Sequence, residues 1–333
     1  MRILDASGVD ALIDDSLVLD SIRDLFSLPD GPEEIGFDRI DLEHPSGWLR
    51  SLPAYVRSHD VLGFKVLHRT AGVGMRYTIY VHSLETGELK GIVDGLEVTN
   101  LRTGAVSALA GDHLAPRDVD VAVVVGTGPI ARGQLRAIEL VRPSEEIRVF
   151  ARTPENRRAF VEEMASLVSG RLVEADSLTS ALDGAALVTL ATKATNPILL
   201  DNHLQPGMHV NSVGPASRDR VEVDPAIFDR FDRVVCDSTR LVFDEAGDAY
   251  RAASEHGFDP SKAEDLSHVV SHGSSDRKPD DITLFKSVGT GAQDLAVAAR
   301  LLALAEERGV GTVVADVNAV KPVAPSERSR PPL

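Results

Sequence analysis

Cysteine is almost missing from this chain: Cys236 is the only one among 333 residues. A single thiol excludes an intrachain disulfide framework and a cysteine-rich metal site. Long apolar runs are missing too. No stretch approaches the ~18 residues that read as a membrane-spanning helix, and Met1-Arg2-Ile3-Leu4-Asp5 lacks the apolar core of a secretion signal. No basic run offsets a formal net charge of −16, which argues against nucleic acid and anionic membrane as partners. No internal repeat is visible. What is present is ordinary for a globular protein, with 43% apolar and 26% charged residues. The length points to two domains, because single cores rarely grow past ~250–300 residues. A cytoplasmic enzyme or binding protein fits these bounds.

The first third reads as a short strand, then helices, then strands. Leu17, Leu19, Ile22, Leu25 and Phe26 form an apolar face at helical spacing, with Asp15, Asp20, Arg23 and Asp24 left to water. Strands are predicted at Gly47–Leu52, Val61–Arg69, Arg76–Ser83 and Leu89–Asp94, and Glu85-Thr86-Gly87-Glu88 joins the last two as a hairpin turn. Thr99 to Leu114 reads as a helix. From Asp118 strands and helices alternate. The strands are Val119–Val125, Glu146–Phe150, Arg171–Glu174, Ala186–Ala191, His209–Val213 and Arg233–Cys236. The helices are Ala131–Val141, Pro154–Val168, Asp244–His256 and Gly291–Arg308. Such alternation implies a parallel sheet with helices on its faces.

One stretch stands out, Val121-Ala122-Val123-Val124-Val125-Gly126-Thr127-Gly128-Pro129-Ile130-Ala131. A run of β-branched residues ends in Gly-x-Gly-x-x-Ala, and a helical pattern follows. Gly126 lets the backbone turn, Gly128 lets a pyrophosphate approach the main chain, and Ala131 lets the helix pack close to the sheet. Thr127, Pro129 and Ile130 complete a turn whose free N–H groups face the phosphates. The competing reading is an ordinary strand-to-helix turn. NAD sites carry an acid about 20 positions further on, at the end of the second strand. Here that strand ends Val149-Phe150-Ala151-Arg152-Thr153, without a carboxylate. Arg152 and Thr153 suit a 2′-phosphate instead, so NADP(H) is favoured over NAD(H). The expected fold is α/β, with a central Rossmann-type parallel-sheet domain over 116–290. A β-rich N-terminal domain over 1–115 serves substrate binding and association, completed by the C-terminal helix within 291–320, and the proline-rich 321–333 reads as a disordered tail.

Several stretches occur together in one order. They are Leu52-Pro53-Ala54-Tyr55, Gly63-Phe64-Lys65-Val66, Val98 to Ala110 around Leu101-Arg102-Thr103-Gly104-Ala105, the glycine turn, Val210-Asn211-Ser212-Val213-Gly214, Asp237-Ser238, Glu245-Ala246-Gly247-Asp248 and Asp281 to Gly289 around Phe285-Lys286-Ser287-Val288-Gly289. Across about residues 35–310 the chain resembles the ornithine cyclodeaminase/mu-crystallin family. The resemblance implies a homodimer with a nicotinamide cofactor across a central Rossmann domain. It also implies hydride transfer between that cofactor and the α-carbon of a small amino or imino acid. Arg39, Lys65 and Arg102 match the positions that hold the substrate carboxylate, a role suited to two guanidiniums and an ammonium. A buried Lys65 among cations has a lowered pKa and can donate a proton to an imine nitrogen; the bland alternatives are a snorkelling lysine and, for Arg102, a structural salt bridge. Arg102 and Thr103 are expected to open their helix, so that free N–H groups there add to anion binding. By the same matching, Thr103, Thr192, Ser212, Val213, Ser287, Val288 and Gly289 lie against the cofactor.

The chain also departs from the family. Cyclodeaminases usually carry an aspartate two residues beyond the glycine matching Gly214, where this chain has Ala216. Alanine cannot pair with an ammonium, which moves the reading from amine release toward imine reduction. Asp219 is expected to be a solvated loop residue; the alternative is that its loop folds inward and Asp219 replaces the missing acid. His68, His82 and His209 read as structural. His268 and His272 stand four apart, but in a stretch that reads as loop, and no metal site is expected. The expected activity is NAD(P)H-dependent reduction of a small, cyclic imino acid. A cyclodeaminase with tightly held NAD, an amino-acid or opine-type dehydrogenase, and a mu-crystallin-like ligand-binding protein are the alternatives.

Overall fold

The structure, a computed structural model, describes residues 1–28, 37–214, 216–273 and 277–315; the expected tail 321–333 lies outside them. The chain opens with strand β1 (Arg2–Leu4) and helices α1 (Ala6–Asp10) and α2 (Asp15–Phe26). Asp14 caps α2 by accepting from the Leu17 amide at 2.7 Å, and Val18, Leu19, Ile22, Leu25 and Phe26 form its buried face. A meander follows, of β2 (Ile40–His44), β3 (Gly47–Val56), β4 (Val61–Thr70), β5 (Gly74–Ser83) and β6 (Leu89–Asp94). Strand β2 is not among the expected strands; it is a short edge strand whose residues are nearly all exposed. Strand β3 continues past the expected Leu52 to Val56, through Pro53. Its ladder with β2 stops at Ser51, so Pro53 lies where β3 has become an edge and no N–H is needed on that side.

Helix α3 (Leu96–Leu114) begins earlier than the expected Thr99. Its N-cap is Gly95, without a side chain, and the Asp94 carboxylate accepts from the Leu96 amide at 3.1 Å. The hydroxyls of Thr99 and Thr103 donate back to the carbonyls of Gly95 and Thr99, at 2.7 Å each. Arg102 and Thr103 are therefore interior to the helix. Their N–H groups are not the free donors of a first turn, which corrects the expectation that they add backbone anion binding.

The second sheet is wholly parallel. Its chain order is β7 (Val121–Val125), α4 (Pro129–Val141), β8 (Glu146–Phe150), α5 (Pro154–Met164), β9 (Arg171–Glu174), α6 (Leu178–Leu182), β10 (Leu187–Leu190), β11 (His209–Ser212), β12 (Arg233–Cys236), α7 (Thr239–Glu245), α8 (Gly247–His256), β13 (Glu264–Asp265), α9 (Leu266–His272) and β14 (Thr283–Lys286). In space the strands run β9-β8-β7-β10-β11-β14-β12-β13. The order reverses between β7 and β10, which opens a crevice at their carboxyl ends. Two local expectations fail here. Ala246 is extended, with ψ 121°, and splits the single helix expected over Asp244–His256 into α7 and α8. The stretch around His268 and His272 is helix α9, not loop, with His272 Nδ1 3.0 Å from the His268 carbonyl.

Last come α10 (Gly291–Arg308) and β15 (Thr312–Val313). Strand β15 pairs antiparallel with β1 and completes a seven-stranded sheet, β15-β1-β6-β5-β4-β3-β2. The inner face of that sheet, with Ala54, Val56, Val61, Ile79, Val81 and Val93, shares one core with Leu295, Ala298 and Leu301 of α10. Helices α3 and α4 cross where neither tolerates a side chain. A Cβ on Gly104 would lie 2.2 Å from the Gly133 carbonyl oxygen, and one on Gly133 would lie 2.3 Å from that of Asn100. This crossing ties the two layers together. Among the described residues no helix is long and apolar enough to cross a membrane.

Candidate functional site

The glycine turn occupies the reversal point of the parallel sheet. Buried Val123, Val124 and Val125 deliver the chain to Gly126, whose φ of +121° favours glycine. A Cβ on Gly126 would lie 2.4 Å from the Ala191 carbonyl oxygen, just past β10. The Gly126 amide donates to the Phe150 carbonyl at 2.8 Å. Gly128 opens α4 with no side-chain cap and Pro129 at the first turn. A Cβ on Gly128 would meet nothing within 4 Å, so the approach to the first-turn amides is clear. Ala131 is fully buried against the sheet. These residues fit a dinucleotide pyrophosphate on chemical grounds: a glycine-bared main chain, uncapped helix amides and the positive end of the helix dipole. Arg132, which the sequence pattern did not single out, donates to the Thr127 carbonyl at 2.7 Å and is itself held by Glu163 at 2.8 Å. Beyond β8, Arg152 and Thr153 are exposed, and Arg157 props that bend by donating to the Ala151 carbonyl at 2.7 Å.

Farther along the same crevice, Thr192, Ser212 and Gly214 converge on one buried carboxylate, Glu222. Its Oε1 accepts from the Thr192 amide at 2.7 Å and the Thr192 hydroxyl at 2.8 Å. Its Oε2 accepts from the Ser212 hydroxyl at 2.8 Å and the Gly214 amide at 2.9 Å. Burial pushes the Glu222 carboxyl above the usual carboxylate range, against the pull of Lys286 and these donors. Lys286 Nζ reaches both Ser212 Oγ, at 2.9 Å, and Asp248 Oδ2, at 2.8 Å. The Thr192 and Ser212 side chains are thus committed to the protein, as is Thr103 inside α3. What they offer a ligand is the shape of the strand ends, and Val213 and Val288 are nearly buried beside them.

The cations gather on the other side. Lys65 lies on the inner face of β4, 1% exposed, with Nζ 2.6 Å from Asp294 Oδ2 and 3.3 Å from the Thr99 hydroxyl. Arg102 approaches the other oxygen of the same carboxylate, Nε to Oδ1, at 3.1 Å, and Nη1 donates to Gln293 Oε1 at 2.8 Å. Gln293 passes the contact on to Asp237, at 3.2 Å. Asp237 Oδ2 accepts from the Ser287 hydroxyl and the Gly289 amide, both at 2.7 Å, which shapes the end of β14. Gly289 has φ +72°, and a Cβ there would lie 2.4 Å from Arg102 Nη1. The guanidinium therefore packs on bare backbone. Arg39 donates to the carbonyls of Val288, at 2.9 Å, and Gly289, at 2.8 Å, and its Nε lies 2.6 Å from Glu245 Oε2.

Arg39, Lys65 and Arg102 are thus brought to one cleft between the seven-stranded sheet and the end of β14. Burial pushes Lys65 down to about 7, helped by the Arg102 and Arg39 charges and opposed by Asp294. An ammonium with that pKa exchanges its proton near neutrality. Glu245 moves upward, chiefly through burial. The sequence does not single out Asp294, Gln293 and Glu222, while Asp237, Asp248 and Lys286 stand in the family-like stretches without a role of their own there. Gln293-Asp294, at the head of an apolar helix, carries a readable signal, whereas Glu222 and Asp248 stand among other charged residues and carry none. Ala216 sits beside the cleft with no acid to offer. Asp219 is an exposed loop residue, bonded to the Ser217 hydroxyl and 3.5 Å from Arg220. Among the described residues no group of three or more acids, histidines or cysteines is placed to hold a metal.

A model of the ornithine cyclodeaminase/mu-crystallin family matches residues 36–307. The chain belongs to that family. Within it, an uncharacterized cyclodeaminase of Sinorhizobium fredii is 34% identical over 238 residues, 69% of this chain and 70% of the relative. A delta(1)-pyrroline-2-carboxylate reductase of Bacillus cereus is 29% identical over 268 residues, 78% of this chain and 82% of the relative. Among solved structures, the delta(1)-pyrroline-2-carboxylate reductase of Thermococcus litoralis, in complex with NADH and L-proline, superposes with a TM-score of 0.87. It is 30% identical and covers 94% of this chain and 100% of its own. Family membership accounts for the α/β architecture and for the order of the motifs along the chain.

Proposed function

We propose that the protein is an NADP(H)-dependent reductase of a small cyclic imino acid, a ketimine whose carbon next to the carboxylate is reduced. The observation that carries this reading is the buried Lys65 ammonium beside Arg102, facing the end of β14. Arg39 and Arg102 fix the substrate carboxylate, which presents the imine carbon in one orientation. The nicotinamide, when bound, supplies the hydride that this carbon accepts. Lys65 Nζ gives its proton to the imine nitrogen, and Asp294 holds the amine in place when it is neutral. Asp237 and Glu222 fix the strand-end backbone that walls the cofactor side, and Val213 and Val288 exclude water there. The reductases of Bacillus cereus and Thermococcus litoralis support this chemistry by likeness.

The preference for NADP(H) rests on Arg152 and Thr153 standing exposed where an NAD site would have an acid. Residues 1–115 with the α10 segment serve as the substrate and association unit, and 116–290 as the dinucleotide unit. A homodimer is supported by the outer face of the seven-stranded sheet. There Tyr55, Leu62, Phe64, Val66, Tyr80 and Ile92 are only half-buried, and the Phe64 and Tyr80 rings stack at 4.9 Å.

The Sinorhizobium relative keeps a cyclodeaminase reading in view, but Ala216 offers no partner to a substrate amine. The deciding experiment incubates the protein with NADPH and a panel of cyclic ketimine carboxylates. Oxidation of NADPH in step with imine consumption is expected. No oxidation with any imine, together with ammonia release from a diamino acid under catalytic NAD, would replace the reductase by a cyclodeaminase.

A further inference from the structure

We propose that Arg50 reads the far end of the substrate, and that the substrate carries a second anionic group there, as a dicarboxylic ketimine does. The inference rests on the reductase reading for its chemistry and on the geometry of Arg50 for its specificity. Arg50 stands on β3 opposite Leu67 on one side and Asp41 on the other. Lys65 pairs with Leu52, the next residue of β3 on that face. Arg50 and Lys65 are therefore diagonal neighbours on the inner face of the sheet, about 7–8 Å apart by the usual spacing of such pairs. From there the guanidinium crosses the cleft, and Nη1 donates to the Ala216 carbonyl at 3.1 Å. Arg39 is close enough that the Arg50 charge adds to burial in lowering the Arg39 pKa.

Each cation of the cleft is aimed by one acid. Asp294 aims Lys65 and Arg102, Glu245 aims Arg39, and Asp41 aims Arg50, accepting from Nε and Nη2 at 2.7 Å each. Asp41 and Ala216 take three of the five guanidinium N–H groups, so two remain among the described residues, on a side chain that keeps 24% of its surface open. With the α-carboxylate at Arg39 and Arg102 and the imine nitrogen at Lys65, the rest of the ligand extends along the inner face. Arg50, Leu67 and Tyr77 bound it there, Tyr77 pairing with Leu67 on β5 and lying within the field of Arg102 and Asp294. An apolar tail would leave the two N–H groups unanswered. A distal ammonium, as in a diamino acid, would face a like charge. A carboxylate takes charge-assisted hydrogen bonds from them.

The test measures binding rather than turnover. Saturated ring amino acids with one and with two carboxylates are titrated calorimetrically into the protein with NADP(H) bound, for the wild type, Arg50→Leu and Arg50→Lys, each checked for folding by thermal melting. The wild type is expected to bind the dicarboxylate about ten- to a hundredfold more tightly, the range of one or two charge-assisted hydrogen bonds. Arg50→Leu is expected to erase the preference and Arg50→Lys to restore part of it. Equal affinities in the wild type, a preference that survives Arg50→Leu, or an equal loss for both ligands would overturn the assignment, the last by making Arg50 a clamp between the sheets. Should Arg50→Leu fail to fold, the wild-type and Arg50→Lys titrations decide alone: equal wild-type affinities, or a preference unchanged in Arg50→Lys, overturn the assignment. A preference lost with Arg50, in a protein that oxidises NADPH with neither kind of ketimine, would uphold Arg50 while removing the reductase reading.

Discussion

Two carboxylates, Asp294 in the cleft and Glu222 in the crevice, are alike in being almost wholly buried. Their surroundings differ. Asp294 faces two cations, Lys65 at 2.6 Å and Arg102 at 3.1 Å. Glu222 faces two hydroxyls and two backbone amides, with Lys286 reaching it only through Ser212. The first arrangement stores charge and leaves cationic N–H groups for a ligand. The second saturates its donors and fixes backbone. On the proposed function, Asp294 between its two cations belongs to the reacting region, and Glu222 among neutral donors belongs to the frame around it.

The sharpest way to break this contrast is kinetic. Lys65→Ala removes the proposed proton donor and is expected to lower kcat/KM for ketimine reduction by about 10²–10⁴-fold, whereas Lys286→Ala should cost far less; steady-state assays with NADPH compare them. Next comes stability. Asp294→Asn leaves two buried cations without their counter-charge, for which about 3–5 kcal/mol is expected, read from denaturant unfolding. Glu222→Gln replaces a carboxylate that accepts four hydrogen bonds by an amide that cannot, at about 1–3 kcal/mol, and should also weaken cofactor binding because Thr192, Ser212 and Gly214 lose their common anchor. An equal cost for the two acids would erase the distinction drawn between them. The smallest effect concerns the edge of the crevice. Arg152→Ala should weaken NADPH about tenfold, the order of one exposed charge-assisted contact, with NADH little changed; equal weakening of both would remove the role given to Arg152.

The parts of the site legible in the sequence are those whose requirement is local. Gly126 and Gly128 announce themselves because a turn with φ +121° and an uncapped helix start need those residue types on the spot. Lys65 and Arg102 are legible only through the match of their stretches to the family, not from a local requirement. The start of α3 was misplaced because its cap is Gly95, while Thr99 and Thr103, which resemble caps, bond backward within the helix. Edge strand β2 alternates over Ile40-Asp41-Leu42-Glu43, but it is short and nearly all exposed, so the pattern corresponds to no buried face. The roles of Asp294 and Arg50 are not legible in the sequence for a different reason. Their meaning depends on α10 returning to the first sheet and on β3 crossing to Ala216, contacts between residues 192 and 166 positions apart.

The central claim is that a buried Lys65 ammonium hands over the proton, and the pH dependence of kcat/KM for NADPH-driven ketimine reduction tests it directly. The active form is the protonated amine, present below its pKa and lost above it. With that pKa held down to about 7 by burial and by Arg102, activity should fall as the pH rises through the neutral range, and Lys65→Ala should lack that step. A profile that stays level through neutrality, or a step that persists in Lys65→Ala, would contradict the account.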